Sequence, residues 1–368
     1  MLIWVIIFIK QGDNTFRSVM SKAAKHILIA ISIWMVLLIL DVFRSGFTND
    51  WLEEVLLKIP LIVIPVYLLF LPKDTCSFTN SWLIFTLVTT AVGFVSTVHY
   101  WLNYEEINAL LLQSKHVPIF GNMHHIYFGV IVSLCIWLCV HFYKKDMHRK
   151  IWLVCGILLL VFMHILASRT GIVAFYSATL IYIFAASLKA KRYTILIIGV
   201  CGLVLLPIIG YQVSGSFKNK VANSVEDFNA VQSGQDINYK SLAMRIEAWK
   251  TSGRVIAKNP ITGVGASRVD DHLQQQYRID ETVLYPENRV GPHNQFIEMT
   301  LAHGIVGGLL LLFIVLIWLI NVKHSPAILA GAVVIIMSFL LESFLERQQG
   351  ILVFCLFLFS FIQLPSKK

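Results

Sequence analysis

A chain of 368 residues that is 57% hydrophobic and only 14% charged, with a mean hydropathy of +0.72, cannot hide its apolar side chains inside a soluble core. The composition excludes an ordinary soluble domain and implies an all-α, polytopic transmembrane bundle. The formal charge of +9 reads as a topology signal, so no nucleic-acid partner is expected.

In chain order, Met1 to Ile9 are apolar but stop at Lys10, lack a basic n-region and a small-residue cleavage site, and are too few to cross unaided. Runs able to span about 30 Å of hydrocarbon follow at 24–43, 55–72, 81–102, 119–141, 151–167, 170–188, 194–213, 295–320, 326–341 and 349–364. The ninth of these is short. The expectation is therefore about 10 to 12 spans, forming one integral membrane domain over residues 1–368, interrupted by a single large, partly helical loop at 214–294. Cysteines at 76, 135, 139, 155, 201 and 355 lie in or beside apolar runs, so they indicate packing rather than a disulfide framework.

Short loops holding Arg17, Lys22 and Lys25, then Lys73, then Lys144 to Lys150, then Lys189 to Arg192, Lys323 and the terminal Lys367 and Lys368 alternate with loops poor in positive charge. The basic set is assigned to the cytoplasm. Alternation then places Arg44 to Glu54, Asn103 to Pro118, the turn at Ser168-Arg169-Thr170-Gly171, the long loop and Glu342 to Gln349 outside. The long loop exceeds about 60 residues, so its own charges do not bear on orientation.

Within that loop, residues from Tyr239 to Lys258 carry helical periodicity, with Leu242, Ile246, Trp249 and Ile256 on one face. Arg245 sits against the edge of that apolar face, where it either snorkels or serves a site. Asn259-Pro260 ends the helix, and Gly263-Val264-Gly265 is a turn suited to close backbone approach to a ligand. Asp270-Asp271-His272 is read as solvated rather than as a metal site, and no metal or other cofactor is expected. Pro292-His293-Asn294 stands just before an apolar run, placing an imidazole at the membrane surface. Imidazole can take a proton from a hydroxyl at neutral pH, and Asn294 or Glu298 is positioned to orient it. Arg169, in a turn with little chain to spare, is held near the interface. Two arginines converging on one phosphorylated head group would give bidentate, permanent charge suited to a diphosphate. On the same side, His125 and Tyr127 open one span, and Glu342, Glu346 and Arg347 close another.

The order of these parts resembles the O-antigen ligase and O-antigen polymerase family of bacterial envelope glycosyltransferases. The likeness runs through Ser168-Arg169-Thr170-Gly171, Arg245 with Trp249, Asn259-Pro260-Ile261-Thr262-Gly263-Val264-Gly265, Pro292-His293-Asn294-Gln295-Phe296-Ile297-Glu298 and Gly304-Ile305-Val306-Gly307, covering about residues 120 to 350. It departs in having ten clear spans where such proteins commonly have about twelve, and in a truncated first apolar stretch.

The resemblance implies a multi-pass protein of the bacterial inner membrane, active on its periplasmic face, with a glycan donor carried on undecaprenyl diphosphate and an acceptor hydroxyl on lipid A-core oligosaccharide or another glycan. On this chain the catalytic roles fall to Arg169 and Arg245, for the diphosphate, and His293, as base. His125, Tyr127, Asn294, Glu298, Glu342 and Arg347 join Arg169 and Arg245 as substrate-binding candidates. Transfer would be inverting and metal-independent. Ligation is favoured over polymerisation of repeat units, and transfer to protein is a third possibility. From another class, a lipid-linked sugar flippase would place ionisable groups near the bilayer midplane, whereas here they collect at one face. A scaffold would tolerate loss of Arg245 and His293.

Overall fold

The computed structural model describes residues 21–70, 75–112, 115–143, 145, 147–233 and 236–362. Met1 to Ile9, Arg17, Lys73, Lys144, Lys367 and Lys368, used above to set topology, lie outside them. Every regular element described is a helix: α1 (Lys22–Leu40), α2 (Val42–Ser45), α3 (Asn49–Lys58), α4 (Pro60–Phe70), α5 (Thr75–Leu102), α6 (Tyr104–Leu112), α7 (His125–Phe142), α8 (Arg149–Leu166), α9 (Arg169–Ala190), α10 (Tyr193–Val213), α11 (Gly215–Ser233), α12 (Ser241–Lys258), α13 (Val269–Ile279), α14 (Gln295–Val322), α15 (Pro326–Leu341) and α16 (Gln348–Phe361), with short 3₁₀ turns between some of them.

Seven of these helices are long and apolar enough to cross a membrane: α1 extended through α2, α5, α7, α8, α9, α10 and α14. The count is lower than the ten runs expected from hydropathy. Helices α15 and α16 are apolar but only 16 and 14 residues long. The run 55–72 is not one helix. It divides between α3 and α4 at Pro60, whose ring and missing N–H interrupt the ladder, and it carries Lys58, which is buried.

Helix α7 is the axis of the bundle, with 83% of its window covered by protein, while α10 sits on the rim with only 6% covered. Where α7 crosses α9, glycine faces glycine. A Cβ on Gly171 would stand 2.6 Å from the Gly129 backbone, and Ser133 Oγ donates to Gly171 O at 2.8 Å. Small residues let these backbones meet where lipid gives no hydrophobic drive for association. The crossing seats Arg169 and Thr170, the first two residues of α9, beside the start of α7. Helix α9 also packs along α15, whose last turn leads into Glu342. The opposite end of the bundle is tied separately, with Lys189 Nζ donating to His324 O at 2.9 Å.

The loop expected at 214–294 is largely helical, holding α11, α12 and α13. It is locked to the bundle at a break in α14. Gly304 adopts φ +67°, ψ −163°, which interrupts the helix and frees its carbonyls. Val264 N then donates to Leu301 O at 2.8 Å and Gly265 N to Ala302 O at 2.9 Å, while Ile305 N reaches Pro260 O at 2.9 Å. The Gly263-Val264-Gly265 turn, read from sequence as an approach to a ligand, approaches the broken helix instead. A Cβ on Gly263 would lie 2.4 Å from Leu301 O, and one on Gly304 would lie 2.1 Å from Ile261 O.

Candidate functional site

His293 is presented by local constraints on both sides. Asn294 caps α14, its side-chain oxygen accepting from Phe296 N at 3.0 Å and Ile297 N at 3.2 Å, as a favourable N-cap residue does. Its amide also donates to Leu340 O at 3.1 Å. On the other side Trp249 Nε1 of α12 donates to Pro292 O at 2.7 Å. Between these ties His293 holds φ +44°, a left-handed conformation that costs a non-glycine residue energy and persists where neighbours enforce it.

The imidazole meets Glu342. His293 Nδ1 lies 2.8 Å from Glu342 Oε2. An ionised carboxylate only accepts, so Nδ1 carries the hydrogen and Nε2 is the nitrogen left to receive a proton. The other carboxylate oxygen accepts from Arg245 Nη2 at 2.5 Å and from Thr170 Oγ1 at 3.4 Å. Arg245 Nη1 donates to Leu341 O at 2.6 Å, so both arms of the guanidinium grip the end of α15. Burial opposes ionisation of Glu342, but the His293 hydrogen bond and the Arg245 charge outweigh it and hold the carboxyl below its usual range. Asn294 and Glu298, the orienting partners suggested by sequence proximity, make their hydrogen bonds to other groups.

Arg169 forms the next contact outward. Its Nη1 donates to Asp227 Oδ2 of α11 at 3.0 Å, and the same oxygen accepts from Leu242 N at 3.4 Å near the start of α12. Arg169 Nε is buried without a partner among the described residues. Lys220, two turns before Asp227 on α11, is pushed down to about 8 by burial and by the Arg169 charge. Arg169, Lys220 and Asp227 together carry a surplus of one positive charge when all are ionised. That surplus suits a phosphate oxygen more than a further cation.

Aromatic rings cluster near the site. Tyr127 stacks on Phe344, centroids 5.1 Å apart. His124 meets Tyr127 edge-on at 5.7 Å, and His125 lies between His124 and His116 at 4.8 and 3.8 Å. Burial lowers the His124 pKa, favouring a neutral ring. Arg347 is exposed and has no carboxylate within salt-bridge distance among the described residues.

Glu298 faces elsewhere, accepting from Ser343 Oγ at 2.8 Å. It borders a small cavity with Trp34, Lys58, His303 and Glu346. Lys58 Nζ donates to Leu345 O at 2.9 Å and to Glu346, while Gln295 Nε2 donates to Glu346 Oε1 at 2.8 Å. This second cluster pins residues 343–346, the short segment that carries Glu342 at one end and Arg347 at the other. Asp270 and Asp271 fall in the first turn of α13, where carboxylates meet the positive end of the helix.

The structure thus gathers Arg245, His293, Glu342 and Thr170 into one network, sets Arg169 beside it, and lines it with Tyr127 and His124. Asp227, Lys220 and the tie from Trp249 to Pro292 were not read from sequence. Asp227 and Lys220 share one face of α11, but without knowing what that face meets the spacing has no meaning.

No curated protein matches the chain. Residues 154–312, which contain Arg169, Arg245 and His293 but stop short of Glu342, match the family model described as O-antigen ligase.

Proposed function

We propose that the protein is a glycosyltransferase of the O-antigen ligase type, moving a glycan from undecaprenyl diphosphate to a hydroxyl of lipid A-core oligosaccharide at the periplasmic face of the inner membrane. The observation that carries this reading is the chain of contacts from His293 through Glu342 to Arg245. A carboxylate shared by an imidazole and a guanidinium supports pairing a proton acceptor with permanent positive charge.

His293 Nε2 takes the proton of the acceptor hydroxyl as its oxygen attacks the anomeric carbon. The carbon–oxygen bond to the diphosphate breaks with its electron pair leaving on phosphate, and a single displacement inverts the anomeric configuration. Glu342 stabilises the imidazolium that forms, as a buried carboxylate does for histidine in hydrolase triads. Arg169, with its unpartnered Nε, and Arg245 bear the charge growing on the departing diphosphate. Energy for the transfer resides in the donor's diphosphate bond, so neither nucleotide nor metal enters the scheme.

Purified protein in lipid, given undecaprenyl diphosphate glycan and lipid A-core with chelator and without nucleotide, should form ligated product. Failure to do so with both substrates present would overturn the assignment. Deletion of the gene separates the two members of the family. Complete glycan stranded on the lipid carrier means ligase, and core bearing one repeat means polymerase.

A transport reading draws on the buried Lys58 and His303 and the half-buried Glu298 around the small cavity. Movement of donor across liposomes with no bond cleaved would favour it.

A further inference from the structure

Helix α11 is built inside out for a helix in water. Its buried positions are Ser216, Phe217, Asn223, Asp227 and Ala230, with half-buried Lys220 on the same face as the three polar ones. These positions recur at helical spacing, and apart from Ser216, whose Oγ is buried without a partner among the described residues, the polar groups are engaged. Asp227 pairs with Arg169, Asn223 Nδ2 donates to Leu111 O at 3.0 Å, and Lys220 Nζ donates to Lys115 O. The opposite face presents Val221, Val225 and Phe228, which are 37%, 55% and 52% exposed. An amphipathic helix in water turns its apolar stripe inward. Here the stripe faces out and is partly open among the described residues.

The chain leading into α11 says what covers it. Helix α10 is the most lipid-exposed span of the bundle, and only Ser214 separates it from α11. Where α10 ends, aromatic rings gather as they do at a membrane–water boundary. Tyr211 lies beneath Lys218 Nζ, 5.8 Å from the ring centroid, and exposed Trp101 and Tyr104 stack at 5.5 Å. Gly215, at the start of α11, is so close to this belt that a Cβ would stand 2.6 Å from Tyr104 Oη. Lys218 beside an aromatic ring at the end of a span is the arrangement of a snorkelling side chain. The apolar stripe of α11 is thus continuous with the lipid-facing surface of α10.

We infer that α11 lies in the bilayer interface, its Val221, Val225 and Phe228 face seated at the headgroup–acyl boundary and its polar face covering Arg169. The occupant of the stripe is the lipid surface itself. The arrangement makes the membrane part of the site, because α11 cannot lift from the lipid without withdrawing Asp227 from Arg169. This inference stands on geometry and holds whether or not the protein transfers glycan.

The test places a nitroxide singly at positions 225, 228 and 229 of the full chain in nanodiscs of phosphatidylethanolamine and phosphatidylglycerol. Cys76 and Cys201 are replaced, and the unsubstituted background serves as control. Collision with oxygen against a water-soluble nickel chelate reports depth. Labels at 225 and 228 should favour oxygen at least threefold more than the label at 229. Equal access of nickel at all three positions would overturn the inference, as would shielding of 225 and 228 from both reagents, which would mean that protein covers the stripe. Val225→Glu should bring the label at 228 into nickel contact, and an unchanged ratio there would also count against lipid seating.

Discussion

Glu342 Oε2 lies 2.8 Å from His293 Nδ1 while Oε1 of the same carboxylate accepts from Arg245. One buried carboxylate therefore sets the tautomer of the imidazole and holds the guanidinium beside it. His293→Ala should lower transfer by about 10²–10⁴-fold, the range for loss of a general base, with protein level and donor binding retained. Retained turnover would remove His293 from the chemistry.

Glu342→Gln should reduce kcat on the order of 10²-fold, because an amide neither stabilises the imidazolium nor balances Arg245. A stability measurement separates this role from packing. Ionised Glu342 has a folded pKa below its unfolded value, so its contribution is full above the unfolded value, about 4.3, and fades as pH falls through the folded one. Melting between pH 7 and pH 3 should show the wild type losing more stability than Glu342→Gln. Parallel curves would mean that the carboxylate is not ionised in the fold.

Arg245→Lys keeps the charge but has one nitrogen where the native side chain uses two, on Leu341 O and Glu342. Turnover should fall by about 10²-fold. Activity within a factor of two of wild type would reduce Arg245 to a snorkelling side chain.

Lys220 bears on both stability and donor binding. Its folded pKa of about 8 lies below the ordinary lysine value of about 10.4, so the folded state sheds protons first and stability rises with pH between those two values. Lys220→Met should therefore be more stable than wild type at pH 7 and lose that advantage by about pH 10. If Lys220 helps hold the diphosphate, the same substitution raises the donor KM with little change in kcat. Thermal melts at the two pH values and steady-state kinetics check both halves.

Gly304→Ala puts a methyl group against Ile261 O in a backbone region reserved for glycine, and should cost about 2–4 kcal/mol. Gly202→Ala is the control, since a Cβ there meets nothing within 4 Å. Equal melting of the two variants would contradict the interlock between α14 and the loop.

Hydropathy located the seven helices long enough to cross a membrane, though not the count of ten, because a bilayer imposes its requirement residue by residue along a local stretch. The helix in the loop was also legible, expected over Tyr239 to Lys258 and observed over Ser241 to Lys258. Local pattern failed where chain geometry intervened. Pro60 split a run that composition treats as continuous, and Gly304 broke α14 at a position that reads as ordinary span sequence.

Sequence by itself determined that this is a helical membrane protein, and it singled out Arg169 and His293 by residue type and position beside spans and Arg245 by its place against the apolar face of a loop helix. Only the tertiary structure decided their partners. Glu342 stands 49 residues from His293 and 97 from Arg245, and Asp227 stands 58 from Arg169. No local spacing rule connects residues so far apart. They meet because the glycine crossing of α7 and α9, the packing of α9 along α15 and the break at Gly304 bring separate helix ends to one place, and a buried charge is tolerated only where such partners arrive together.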